Sequence, residues 1–154
     1  AKEKEEHKYV KDYISNQIKV SGVATSNFNV SQTYTSKAGN LLHLKADITG
    51  EITNSDLKQI LEILHPTPAV CGLPTLQAKE FILKNENYNR EFYSGFLGEI
   101  HLNDSSELYV NLRCAKSDNN RISIFVGGGI TKDSIPEKEW EETVAKTQTI
   151  KKFL

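Results

Sequence analysis

The chain has 154 residues, 38% of them hydrophobic and 25% charged, with a formal net charge of −1. That length and balance suit one domain, residues 1–154, with a real hydrophobic core; they exclude a basic nucleic-acid binder, and no apolar run is long enough to span a membrane. A reducing cytoplasm is the expected location, because the opening residues carry no charged-then-apolar signal and Cys71 and Cys114 form neither a metal-like pair nor a disulfide framework.

The sequence opens inside "AKEKEEHKYVKDYI" with no methionine at position 1 or elsewhere, and is expected to be a piece of a longer protein. Val10, Tyr13, Ile14 and Ile18 recur at steps of three and four, which predicts an amphipathic helix over 2–19. From 28 to 52 the pattern shifts to alternation with Thr, Val and Ile, broken by "SKAGN" at 36–40, and predicts two strands joined by a turn. "NSDLKQILEIL" predicts a helix with Asn54 or Ser55 as N-cap and Leu57, Ile60, Leu61 and Leu64 as its apolar face. The proline-rich "HPTPAVCGLP" at 65–74 then reads as a stiff connector to a further helix, "TLQAKEFILKN", with Pro74 in its first turn. Downstream, "YSGFLGEIHL", "ELYVNLRCAK" and "RISIFVGGGI" are three strand-like runs separated by "NDSS" and "KSDNN", an antiparallel meander. Finally, "SIPEKEWEETVAKTQTIKKFL" has Ser134 and Glu137 spaced as a capping box and Pro136 in the first turn of a helix that runs to the C-terminus.

Several residue patterns bear on chemistry. Glu3 and Glu6 prolong the apolar stripe of the first helix, and Glu139, Glu142 and Lys146 share one stripe of the last, whereas Glu137 and Glu141 fall elsewhere. Four carboxylates gathered in a half-buried site would be driven to protonate unless a cation joined them, and a hard divalent ion such as Mg²⁺ suits oxygen donors. Spacing alone favours the plainer reading, glutamates on solvated helix ends. Gly127, Gly128 and Gly129 follow a strand and let backbone N–H groups approach an anion, although a tight turn is the commoner role of such a triplet. Arg113 sits in a strand-like run, where an inward guanidinium needs a carboxylate partner and an outward one is equally compatible. His43, among leucines, fits a hydrogen-bonded core histidine better than a catalyst. His65 suits a helix C-terminus, and Cys71 has no convincing nucleophile motif around it.

Taken in order, "EEHKYV", "LHPTPAVCGLP", "NREFYSGFLGEI", "VNLRCAK", "FVGGGI" and "EKEWEETVAK" resemble the chorismate-binding enzymes, most nearly their isochorismate synthase branch. The resemblance implies an α+β fold, two antiparallel sheets packed together with flanking helices, of which this chain is the C-terminal part. It implies Mg²⁺ bridging glutamates of two helices and the ring carboxylate of chorismate, with Glu6 and Glu142 as ligands and Glu3 and Glu139 holding metal-bound waters. Tyr93 and Arg113 match positions that grip the enolpyruvyl carboxylate, the N–H groups around Gly127 and Gly129 match an anion-binding turn, and Lys146 matches a carboxylate-binding lysine. His43 matches a pocket-lining histidine and is grouped with the catalytic residues. Ala69 and Gly72 become part of a loop wall against the ring.

The implied chemistry is addition of water at one ring carbon with loss of hydroxyl at another. In this family the lysine base and the glutamate acid lie upstream of the "EEH" helix. The 154 residues alone are therefore expected to turn over chorismate poorly or not at all, and to expose apolar surface with self-association as one consequence. Salicylate, anthranilate and aminodeoxychorismate synthases share the metal helices. Ala69, where salicylate-forming and ammonia-using relatives tend to carry threonine, points to an isochorismate synthase of a menaquinone or siderophore route. The remaining alternative, a non-catalytic ligand-binding domain of the same fold, has no need of the glutamate pairs or Arg113.

Overall fold

The helical spacing at the start of the chain produces α1, Lys2–Ser21, in the computed structural model. Val10, Tyr13, Ile14 and Ile18 are all half-buried, while Glu5, Lys8 and Asp12 face solvent. Glu3 and Glu5 lie in the first turn and Lys19 in the last, each matching the sign of the helix dipole. The structure describes residues 2–22, 28–38, 41–52, 57–102 and 105–154. These divide into two compact units, Ala1–Leu83 and Lys84–Leu154.

In the first unit the two predicted strands become four short ones, β1 (Asn29–Val30), β2 (Tyr34–Ala38), β3 (Leu41–Lys45) and β4 (Ile48–Thr49). β2 and β3 form an antiparallel hairpin from Tyr34↔Lys45 to Ala38↔Leu41, and β1 pairs with β4 outside it. The ladder is interrupted between the two pairs and stitched by side chains: Asp47 N–H donates to Ser31 Oγ at 2.8 Å and Tyr34 OH donates to Asp47 Oδ2 at 2.8 Å. The Tyr34 hydroxyl and the Lys45 ammonium together hold the Asp47 carboxyl below its usual range. Part of the predicted turn at 36–40, and the Asn54 or Ser55 N-cap, lie outside the described residues. α2 (Leu57–Leu64) turns Leu57, Ile60, Leu61 and Leu64 inward, all half-buried, and packs with β3 against α1.

The connector is a helix-to-helix link, as expected. Val70 and Cys71 N–H both donate to the Thr67 carbonyl at 3.1 Å, closing a tight turn. α3 (Thr75–Asn85) covers the predicted string "TLQAKEFILKN" from end to end. Pro74 stands just ahead of it, its carbonyl accepting from Ala78 N–H at 3.0 Å.

In the second unit the three strand-like runs resolve into four strands, β5 (Phe96–Leu102), β6 (Ser105–Val110), β7 (Cys114–Asp118) and β8 (Arg121–Phe125). They pair as two separate hairpins, β5–β6 and β7–β8, and not as one meander. The break falls at 111–113: Asn111 N–H donates to the Gly95 carbonyl at 2.8 Å, Asn111 Nδ2 donates to the Phe92 carbonyl at 2.9 Å, and Arg113 then takes φ +50°, which ends the extended run. The "KSDNN" turn forms where predicted, with Asn119 at φ +49° between Asp118 and Arg121.

α4 (Pro136–Lys151) has Pro136 in its first turn, as expected, and packs against β8. The predicted capping box does not form. Ile135 is the N-cap, with no side-chain bond, because the Ser134 hydroxyl is engaged one turn earlier, accepting from Thr131 N–H at 3.0 Å. The helix also stops short of the C-terminus, where Phe153 N–H turns back to the Ile150 carbonyl at 2.9 Å.

The fold class is thus α+β, with small antiparallel sheets and four helices among the described residues. No described side chain is fully buried, and Phe92 (83% exposed) and Trp140 (70%) stand in solvent. Large apolar side chains stand exposed in both units, Leu76 and Phe81 in the first and Phe92 and Trp140 in the second. No described helix is long and apolar enough to cross a membrane.

Candidate functional site

After β8 the chain passes through Gly127, Gly128 and Gly129 without regular structure, and several predicted residues converge there. A β-carbon on Gly127 would lie 2.7 Å from the Tyr93 hydroxyl, so position 127 has no room for a side chain while the phenol stays in place. A β-carbon on Gly128 would lie 3.6 Å from Glu139 Oε2, 3.7 Å from Glu142 Oε1 and 3.8 Å from Lys146 Nζ. One peptide therefore faces a phenol at one end and two carboxylates and an ammonium at the other. The helical spacing of 139, 142 and 146 supplies the second group from a single stripe of α4.

Lys146 Nζ donates to the Gly127 carbonyl at 2.8 Å and is paired with Glu142 Oε1 at 2.5 Å. Glu139 is the deepest charged residue described, 8% exposed, while Glu137 and Glu141 face solvent as the stripe predicts. Beside Glu139 an open cavity of about 350 Å³ is lined by Gly128, Ile130, Ser134, Pro136, Trp140 and Thr143.

Tyr93 reaches this turn from the segment before β5. Its ring stacks on Phe125 at 5.7 Å between centroids, and the Arg90 guanidinium lies 5.7 Å from its centre. Arg90 is held in turn by Glu86, with Nε donating to Oε2 at 2.7 Å and Nη2 to Oε1, and by Ser94, whose Oγ lies 3.2 Å from Nη1. Burial pushes the Tyr93 phenol above its ordinary value, and the Arg90 charge partly offsets this. Sequence reasoning missed Glu86 and Arg90. The four-residue spacing is a signal, but it is read as a pair on helices, and 86–90 has no helix.

The Arg90 fork holds the Glu86 carboxyl below its ordinary 4.5. A depressed folded value means that the pair stabilises the fold fully above that ordinary value and loses this as pH falls through the folded one. Glu86→Gln is expected to cost about 1 kcal/mol near neutrality, the scale of a partly exposed bidentate pair. Denaturant melts at successive pH values should show the variant converging on the parent as the medium is acidified below 4.5. A constant gap between the two would contradict the assignment.

Arg113 corrects an expectation. It lies in a bend between β6 and β7, half-buried, and not within a strand. Its successor Cys114 pairs with Phe125, the residue whose ring stacks on Tyr93, so the backbone at 113 stands next to the Tyr93 support. Gly129 follows Gly128 in the turn and is exposed.

The remaining predicted residues belong to the first unit. In α1, Glu3 is exposed and Glu6 half-buried; Glu6 Oε1 is shielded from solvent without a hydrogen bond, with Lys2 Nζ at 3.7 Å. His43 lies on β3 opposite Ser36 and is exposed. The connector presents Ala69 to solvent while 65–68 and 70–72 are half-buried. Gly72 has a reason of its own: φ is +120°, and a β-carbon would meet Ala78 Cβ at 2.9 Å.

Carboxylate oxygens, the donors a hard divalent ion takes, are offered by each unit separately. Glu6 offers a shielded carboxylate oxygen that lacks a donor, and Glu139 and Glu142 aim two carboxylates at Gly128. Among the described residues no three His, Cys, Asp or Glu side chains form a group able to hold a metal by themselves.

A family model described as "Chorismate binding enzyme" matches residues 1–154. The chain is similar to the vibriobactin-specific isochorismate synthase of Vibrio cholerae, 36% identical over 112 residues that make up 71% of this chain and 28% of the relative. It is similar to isochorismate synthase MenF of Escherichia coli K12, 38% identical over 112 residues, 73% of this chain and 26% of the relative. Anthranilate synthase component 1 of Aquifex aeolicus is 32% identical over 158 residues, 99% of this chain and 31% of the relative. A solved structure described as a 2,3-dihydroxybenzoate-specific isochorismate synthase, DhbC, from Bacillus anthracis matches with a TM-score of 0.83 and 33% identity, over 96% of this chain and 40% of that one. The chain thus spans between 26% and 31% of the length of these curated relatives.

Proposed function

We propose that this chain, which belongs to the chorismate binding enzyme family, serves the Mg²⁺-dependent isomerisation of chorismate to isochorismate. The observation that carries the reading is the meeting, around Gly127 and Gly128, of Tyr93, Glu139, Glu142 and Lys146. Chorismate is a dicarboxylate, and it needs two unlike anion sites on one protein. Tyr93, the N–H groups of the glycine turn, Lys146 and Arg113 are a donor set for one carboxylate. Glu6 and Glu142, with Glu3 and Glu139 around them, would hold Mg²⁺ for the other. When bound, the ion fixes and polarises the ring carboxylate. The chain's own part is to orient the substrate: Lys146 pins the turn through the Gly127 carbonyl, and Gly127 keeps the phenol close. By the same reading, His43 would be a pocket-lining residue and Ala69 and Gly72 would be the wall that sets a small side chain against the ring.

Isochorismate synthase names among the relatives favour this product over its siblings. Anthranilate formation is the second reading, because the Aquifex aeolicus relative matches nearly the whole chain; the alanine at 69 weighs against it. Product analysis with chorismate and Mg²⁺ decides between them. With the family's upstream base and acid supplied, isochorismate is expected without ammonia dependence and without pyruvate release, and anthranilate or salicylate would sink the assignment. The 154-residue chain by itself is expected to be stabilised against heat by chorismate only when Mg²⁺ is present, with poor turnover or none. Clear isochorismate formation by this chain would overturn that division of labour. Absence of the stabilisation, unchanged by Glu6→Gln, would favour a non-catalytic domain.

A further inference from the structure

The segment 86–95 has little regular structure of its own. It is irregular through 90 and then a turn in which Glu91 and Ser94 take φ +50° and +61°. Its backbone is tied to the rest of the unit mainly at Asn111, which Ser94 N–H and the Phe92 and Gly95 carbonyls engage. Those bonds fix where the Tyr93 backbone is, but not where its ring points. The ring direction falls to side chains, and Arg90 touches it with three anchors behind it: both oxygens of Glu86 and the Ser94 hydroxyl.

We propose that the Glu86–Arg90 pair is a positioning device for Tyr93, setting the phenol so that its hydroxyl meets the glycine turn at Gly127. A guanidinium fork locked on a carboxylate is planar and cannot swivel freely, which makes it a rigid shelf for an aromatic ring. Phe125 supplies the other contact, and its place is set by strand pairing with Cys114. Rotating Tyr93 away from Gly127 requires leaving both. Neither Arg90 nor Glu86 is placed against substrate; their effect passes through Tyr93. The functional consequence rests on reading Tyr93 as a carboxylate-binding residue, whereas the positioning itself does not.

The test places 3-fluorotyrosine at position 93 alone in the 154-residue chain and follows its ¹⁹F resonance, with chorismate affinity measured by calorimetry in Mg²⁺. The parent is expected to give one narrow line, and Arg90→Gln a broadened line shifted toward that of free fluorotyrosine, with chorismate bound about tenfold more weakly, roughly 1.4 kcal/mol. The double exchange Glu86→Arg with Arg90→Glu keeps an ion pair between the two positions but takes the guanidinium off position 90. It is expected to hold the melting temperature near the parent's and still lose the narrow line. Arg90→Lys, which keeps charge without the fork, is expected to recover part of the affinity. An unchanged line in Arg90→Gln, or full recovery of line and affinity in the double exchange, would overturn the proposal and leave the pair a staple of the loop. If the parent chain binds no chorismate, the functional reading falls, and the ¹⁹F lines still decide the positioning role.

Discussion

Gly98→Ala is expected to unfold the β5–β6 hairpin. A β-carbon at this position would lie 1.9 Å from the Glu107 carbonyl oxygen, 2.9 Å from its carbon and 3.0 Å from Leu108 Cα, and φ is +155°. All three are backbone atoms of the paired strand, so no side chain can rotate aside to relieve the overlap. Relief would require β6 to move away, undoing the neighbouring pairs Leu97↔Tyr109 and Glu99↔Glu107 as well as Gly98↔Leu108. The ladder is already irregular between Glu99 and Leu102, which leaves little pairing beyond the break to hold the strands. The expected cost is about 3 kcal/mol or more, a large share of the roughly 5–15 kcal/mol that holds a typical domain. Denaturant unfolding followed by circular dichroism reads this as a fall in midpoint. A midpoint equal to the parent's would show that the close approach at Gly98 is not maintained in solution.

Lys146→Met is expected to have the largest effect on ligand binding. The ammonium is 22% exposed, bonded to the Gly127 carbonyl and paired with Glu142, and it is the cation nearest the Gly128 position, where two carboxylates also point. Methionine has a similar length and no charge, so the change isolates the ammonium. It leaves Glu139 and Glu142 side by side without that cation, and it frees the peptide that begins the glycine turn. A hydrogen bond from a charged donor to a carboxylate contributes about 1.5–3 kcal/mol. Chorismate affinity is therefore expected to fall by roughly two orders of magnitude, with a smaller loss of stability because α4 itself is untouched. Calorimetric titration of parent and variant at equal Mg²⁺ checks the first part and a thermal melt the second. Affinity within a factor of about three of the parent's would remove Lys146 from the binding machinery.

Periodicity made the helices legible. α1 and α4 were visible because their apolar or charged positions recur every three or four residues over long stretches, and Pro136 marked the start of α4. The stripe carrying Glu139, Glu142 and Lys146 follows from the helical repeat alone. The β7–β8 turn was legible for the same local reason, a run of Asp and Asn that tolerates positive φ. What escaped the sequence depends on partners distant along the chain. "YVNLRCAK" alternates smoothly, and only the bonds from Asn111 back to 92 and 95 show why the strand breaks before Arg113. The capping box failed because Ser134 has one hydroxyl and two places to use it, and the nearer turn won. The Glu86–Arg90 pair was unreadable because the four-residue rule belongs to helices, whereas here an irregular segment brings the two together.

The charged stripe on α4 also limits which insertions and deletions the chain can tolerate. Each residue added to or removed from a helix turns everything beyond it by about 100°. One residue inserted between Glu142 and Lys146 would carry the ammonium off the face that reaches the Gly127 carbonyl, though every functional side chain would still be present. The segment 127–135 has no such phase to keep, and length changes there near Lys132 and Asp133, both exposed, would leave the stripe itself in register. Between Pro136 and Lys146, spacing matters as much as residue identity, and a library of length variants should show loss concentrated inside the helix and tolerance at the exposed loop.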